Sequence, residues 1–121
     1  MEEINNLTQD EVLELIKDFP VEPLRNKLII TVNVENANSD LMLGNTSFFE
    51  TQYVVAVGQF VNVIKPGQRV LLDLEKMMEY VTSDTDSYEK IGRLKIRPIE
   101  VNGKMFALIN DSNVDAIDNR N

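Results

Sequence analysis

The sequence has no cysteine and no histidine. The first absence removes disulfides, thiolate nucleophiles and cysteine-held zinc, and it suits a reducing compartment. The second removes the commonest general base and the commonest metal ligand, and it leaves the serines with no imidazole to activate them. No apolar run reaches the roughly 20 residues that a membrane span needs. Met1-Glu2-Glu3 is too acidic to open a secretory signal. Positive charge is scarce: 12 Lys and Arg against 20 Asp and Glu leave a net charge of −8. Such a surface repels phosphate backbones and anionic lipids, so neither nucleic acid nor membrane is expected as a partner. There is no P-loop and no paired-glycine nucleotide fingerprint. Asp84-Thr85-Asp86-Ser87 opens like a calcium loop, but Glu89 stands where that loop needs glycine and Lys95 where it needs glutamate. No catalytic residue, cofactor or metal is therefore expected, and the chain does not read as an enzyme.

What is present is enough apolar material for one core. The 121 residues, 43% of them apolar, fit a single domain. Leu7 to Val12 carries a capping box, with Thr8 as N-cap and Glu11 three residues on, and Leu7 and Val12 placed as a hydrophobic staple. Val12, Leu15, Ile16 and Phe19 continue at helical spacing until Pro20 stops them. Residues 1–22 thus form a helical extension covering one end of a β core.

Strand patterns follow. Lys27 to Val34 alternates, with Leu28, Ile30, Val32 and Val34 on one face and Ile29, Thr31 and Asn33 on the other. Phe48 to Val57 sets Tyr53, Val55 and Val57 together, and Gly58 ends it. Lys65-Pro66-Gly67-Gln68 reads as a type II turn before a strand over Val70 to Leu74. Leu74, Met77, Met78 and Val81 then fall at i, i+3, i+4 and i+7, which predicts a short helix over Asp73 to Val81 with Asp73 as cap; the alternative is a continued irregular strand. Asn102-Gly103 joins Leu94–Val101 to Lys104–Ile109 as a type I′ hairpin, and Pro98 marks its first arm as an edge. Val114 to Ile117 is a short apolar end, and residues 118–121 are expected to fray. The expected core is Leu28, Ile30, Val32, Val55, Val57, Val70, Leu72, Phe106 and Leu108.

The order of these pieces resembles the GroES-like co-chaperonins. Pro23-Leu24-Arg25-Asn26-Lys27-Leu28-Ile29-Ile30 is similar to their opening strand. A polar loop with the apolar triplet Leu41-Met42-Leu43 comes next, then Val54-Val55-Ala56-Val57-Gly58, then Ile64 to Leu72 with its Lys-Pro-Gly turn. Met105 to Ile109 and Asp111 to Ile117 look like the family's last strand, acidic turn and apolar tail. The resemblance covers residues 23–117. The stretch from Gly58 to Lys65 is too short for the roof hairpin of bacterial members, residues 73–93 are an insertion, and the N-terminal helix is extra; this fits a divergent, phage-encoded member.

The resemblance implies a mostly β fold: a small, partly open GroES-like β-barrel, here with an N-terminal helix and a short helical insertion. It further implies a ring, a heptamer, in which the C-terminal strand of one subunit pairs with the N-terminal strand of the next. Leu28, Ile30, Val114 and Ile117 would then lie at the oligomer interface, the alternative being that Val114 and Ile117 pack on their own barrel. Leu41, Met42 and Leu43 would dock on chaperonin apical domains and close a folding chamber in the host cytoplasm. The alternative for the triplet is a strand edge folded back on the barrel. The second functional reading is a virion component that binds capsid proteins with a similar barrel.

Overall fold

The computed structural model describes residues 6–35, 47–82, 90–94 and 96–120. Its centre is a six-stranded antiparallel sheet that does not close. The strands are β1 (Lys27–Thr31), β4 (Thr51–Val57), β5 (Arg69–Leu72), β8 (Arg97–Val101), β9 (Lys104–Asn110) and β10 (Val114–Ile117), in the spatial order β10-β5-β4-β1-β9-β8. Two small ladders stand beside it. One joins β2 (Val34–Glu35) to β3 (Ser47–Phe48), and the other joins β6 (Met78–Thr82) to β7 (Lys90–Leu94). The mostly β fold is as expected, with one short helix, α1 (Gln9–Leu15), which continues as a 3₁₀ turn over Ile16–Asp18.

The alternation of β1 is real, but both of its faces are buried. Leu28 and Ile30 enter one cluster with Val54, Val70, Leu72, Met77, Ala107 and Ile109. Ile29 enters a second with Leu7, Val12, Val55, Val101 and Phe106. The second cluster exists because the N-terminal segment lies over that face of the sheet. Thr8 accepts the Glu11 N–H and Glu11 accepts the Thr8 N–H, as the capping box predicts, so the helix starts where Leu7 and Val12 can both turn inward. Phe19 then meets Phe106 edge-to-face, with ring centroids 5.1 Å apart. Such a contact is worth about 0.5–1.5 kcal/mol beyond its buried area.

A bulge corrects the expected facing of β4. Leu28 sits opposite Val57 and Ile29 opposite Ala56, but Ile30 is opposite Val54. Val55 is the extra residue, and it reverses the alternation. Val57 therefore joins Leu28 in the first cluster, while Tyr53, Val55 and Ala56 join the second. Phe106 and Leu108 also belong with the second, since they pair with Thr31 and Ile29.

The predicted helix over Asp73–Val81 is not formed. Residues 74–77 make two consecutive turns, with the Met77 N–H bonded to the Leu74 carbonyl at 3.1 Å and the Met78 N–H to the Glu75 carbonyl at 3.2 Å. The cap signal is genuine, because Asp73 Oδ1 accepts the Lys76 N–H at 3.2 Å; what it caps is a turn. The i, i+3 pair Leu74 and Met77 packs against the first cluster. From Met78 onward the chain pairs with β7, a partner that β-branched and aromatic residues such as Tyr80-Val81-Thr82 favour over helix.

Both predicted tight turns are in place. Asn102 and Gly103 take φ of 52° and 81° between Val101 and Lys104, the left-handed pair of a type I′ turn. Gly67 takes φ 92° and the Gln68 N–H returns to the Lys65 carbonyl at 3.2 Å. In this register β8 meets β9 through Arg97, Ile99 and Val101, so Pro98, which has no N–H, faces the free edge.

Candidate functional site

The segment that carries the expected partner-binding triplet leaves the sheet through β2 and returns through β3. Val34 pairs with Phe48 and Glu35 with Ser47, so the chain on the two sides of residues 36–46 forms a short two-stranded stalk. Leu41, Met42 and Leu43 lie outside the described residues, as does the calcium-like run Asp84 to Ser87. The root of the stalk is described, and its chemistry is unusual for the interior of a small sheet.

Gln52 lies there with only 1% of its surface exposed. Its Oε1 accepts from the Thr31 hydroxyl and from the Asn33 N–H, both at 2.8 Å. Its Nε2 donates to the carbonyls of Asn33 at 2.8 Å and Phe49 at 2.9 Å. A glutamine amide has two donor and two acceptor positions, and all four are used. Thr31 in turn accepts the Tyr53 N–H at 3.0 Å. Two asparagines extend the network to the N-terminal segment by imitating a β ladder. Asn33 donates to the Leu7 carbonyl and accepts the Leu7 N–H, each at 2.9 Å. Asn6 donates to the Val34 carbonyl at 2.8 Å and accepts the Val34 N–H at 2.9 Å. Where β1 stops pairing, side-chain amides take over the backbone groups that would otherwise be stranded. Both strands of the stalk are thereby fixed to the core and to the N-terminal segment.

No family model and no curated protein matches the chain. Its chemistry has to be read from the molecule.

The residues expected at an oligomer interface are placed as follows. Leu28 and Ile30 are buried in the chain's own first cluster. Both edges of β1 are bonded within the chain, one to β4 and one to β9, which leaves Lys27–Thr31 no edge for a neighbouring strand. Val114 and Ile117 are half-buried against the first cluster while β10 pairs with β5. The edges of the six-stranded sheet are β8 and the outer side of β10.

Of residues 118–121, expected to fray, Asp118 and Arg120 are held, and Asn121 lies outside the described residues. The Asp118 N–H donates to the Arg69 carbonyl at 2.7 Å. Its buried carboxylate meets Arg120 Nε at 2.8 Å and Arg69 Nε at 3.1 Å, and Arg69 also donates to the Arg120 carbonyl. Hydrogen bonds from Arg120, with the Arg69 charge beside them, hold the Asp118 carboxyl far below the usual carboxylate range. Among the described residues no group of three or more carboxylates is placed to hold a metal ion, and no helix is long and apolar enough to cross a membrane.

Sequence reasoning missed Gln52, Asn33, Thr31 and Asn6 as a unit. One signal was available. Gln52 stands in phase with Val54 and Ala56, so the face opposite Tyr53, Val55 and Val57 is also largely apolar, and an amide buried on it requires partners.

Proposed function

We propose that this protein is a non-catalytic binding subunit that presents residues 36–46 to a larger protein partner, in the manner of a co-chaperonin mobile loop. The observation that carries the reading is the stalk: a segment holding three large apolar side chains springs from a two-stranded ladder rooted in a fully satisfied buried network. Rigid anchorage with an apolar tip is the arrangement a reversible docking loop needs. The partner proposed is a set of chaperonin apical domains. The resemblance of residues 23–117 to the co-chaperonins supports that choice.

Magnitudes favour an assembly over a monomer. Burial of Leu41, Met42 and Leu43 would contribute about 1.5–3 kcal/mol each. Ordering a loop costs about 1–2 kcal/mol per residue. One loop binds weakly, whereas several on one ring gain avidity of roughly 10²–10⁴. In this reading the ring contact uses the outer edge of β10, because β1 has no free edge. Val12 of the added helix and Met77 of the 73–77 turn are buried in the chain's own core, and Leu15 and Leu74 pack against it, so these residues supply no argument for a virion role; Leu13 is exposed.

The test is a double substitution, Leu41→Asp with Leu43→Asp, examined by co-sedimentation with purified chaperonin and nucleotide. Binding by the unmodified protein and loss of binding by a folded double variant is the expected result. Absence of any binding by the unmodified protein, with capsid proteins captured from infected cells instead, replaces the co-chaperonin reading with the virion one.

A further inference from the structure

A cleft of about 370 Å³ opens where the curved sheet fails to close. It lies between the 74–77 turn and the paired strands β8 and β9, at the end of β1 opposite the stalk. Lys27, Lys76 and Arg97 border it, over apolar residues that include Met77, Ile96 and Ile109. Among the described residues that line it there is no carboxylate, although the chain as a whole carries −8. Lys76 has Asp73 at 3.8 Å; among the described residues neither Lys27 nor Arg97 has a carboxylate within ion-pair distance. Two cations without a described carboxylate, Lys27 and Arg97, and the paired Lys76 thus border one hollow of mixed polar and apolar lining. Folding alone does not require this, since unpaired cations gain nothing from proximity to one another.

A second, smaller hollow of about 10 Å³ adjoins it, lined by Ile30, Leu72, Leu74 and Ala107. Met77 and Ile96 belong to the walls of both. Methionine is unbranched and adapts its shape readily. A change of Met77 rotamer would extend the outer cleft towards the inner hollow against the sheet. The mouth of a β-barrel with an apolar lining and a few convergent polar groups is a recurrent small-molecule site, and about 300–1,000 Å³ is the usual size.

We infer that this mouth binds a small amphipathic anion, an alkyl carboxylate, with its head at Lys27, Lys76 and Arg97 and its tail over Met77 and Ile96. Charge selects the head, because an anion entering here meets Lys27, Lys76 and Arg97 with no described carboxylate in the lining. The apolar floor selects the tail. The inference does not depend on the co-chaperonin reading.

Titration calorimetry of the full chain with octanoate tests it, with acetate and 1-octanol as the two halves of the ligand. Octanoate is expected to bind one to one, at least tenfold tighter than either half. Binding is expected to fall at least tenfold in Lys27→Gln/Arg97→Gln and to weaken as salt is raised on the unmodified protein. The salt series reads the same charge dependence should the double variant fold poorly. Equal binding of octanol and octanoate, octanoate binding indifferent to salt, or no binding of octanoate at all would overturn the inference.

Discussion

The two ends of β1 are built on opposite plans. At the stalk end, beyond Thr31, each polar position of the Gln52 amide has a partner, and the amides of Asn33 and Asn6 tie in the N-terminal segment. At the mouth end, near Lys27, the charges of Lys27 and Arg97 have no described carboxylate partner, and Lys76 has only Asp73 at 3.8 Å. Satisfied groups hold still, since any movement breaks bonds that the interior cannot replace. Unmatched groups keep their capacity for a ligand. One end is thus fitted to transmit position to a loop, the other to receive something.

Gln52→Leu is the harshest way to break this contrast. It strands the Asn33 N–H, the Thr31 hydroxyl proton and the Phe49 carbonyl, which lose Gln52, and leaves the Asn33 carbonyl with the Phe49 N–H alone, at about 1–3 kcal/mol per buried group left unsatisfied. A loss above about 3 kcal/mol is expected in urea unfolding. A loss below about 1 kcal/mol would mean that water substitutes easily and that the stalk root is not rigid.

Gly58→Ala probes the mouth end next, where the backbone is packed tightly even though the side chains are not matched. A methyl there would press on the Arg25 carbonyl oxygen and lie 2.8 Å from the Leu24 carbonyl carbon. Neither can step aside: Arg25 already holds φ 59°, its N–H donates to Gln59 at 3.0 Å, and its carbonyl accepts the Phe60 N–H at 2.9 Å. Overpacking of this kind costs about 1–3 kcal/mol, read as a shift of the urea midpoint.

Acid should act at the C-terminal clasp. The folded Asp118 carboxyl titrates below its unfolded value, so its contribution is complete above about pH 5 and is lost as pH falls below about 4. Amide exchange near Asp118 should quicken over that window, and Asp118→Asn should abolish the pH dependence there.

The mildest substitution sharpens the contrast most. Arg97→Gln should leave stability within about 0.5 kcal/mol, because the exposed side chain supports no described partner, while octanoate binding falls. A large loss of stability would show that the mouth cations serve the fold.

Local chemistry was legible in the sequence where one short segment decides the outcome. The Asn102-Gly103 turn, the Lys65–Gln68 turn, the Thr8/Glu11 capping box and the alternation of Leu28 to Thr31 all need only neighbours along the chain. What was not legible depends on distant partners. No local signal says that Val55 will bulge and turn Val57 to the other face, since Ile29 and Ile30 decide it. The spacing of Leu74, Met77, Met78 and Val81 fits a helix equally well until β7 competes for the second half. The polar tail looks free until Arg69 is placed beside Asp118. The mouth could not be read at all, because Lys27, Lys76 and Arg97 stand in three separate elements.

The central place of β1 also sets a timetable. Its start is tied to the far end of β9, where Asn26 reaches Asp111, 85 positions along the chain. At about 5–20 residues per second of synthesis, β1 waits on the order of ten seconds for that neighbour. Pairings between such distant strands also make refolding slow, in the range of milliseconds to seconds. Throughout the wait Leu28 and Ile30 on one side and Ile29 on the other lack their final cover. A chain truncated before Lys104 should therefore aggregate as it is made and depend on other proteins to stay in solution.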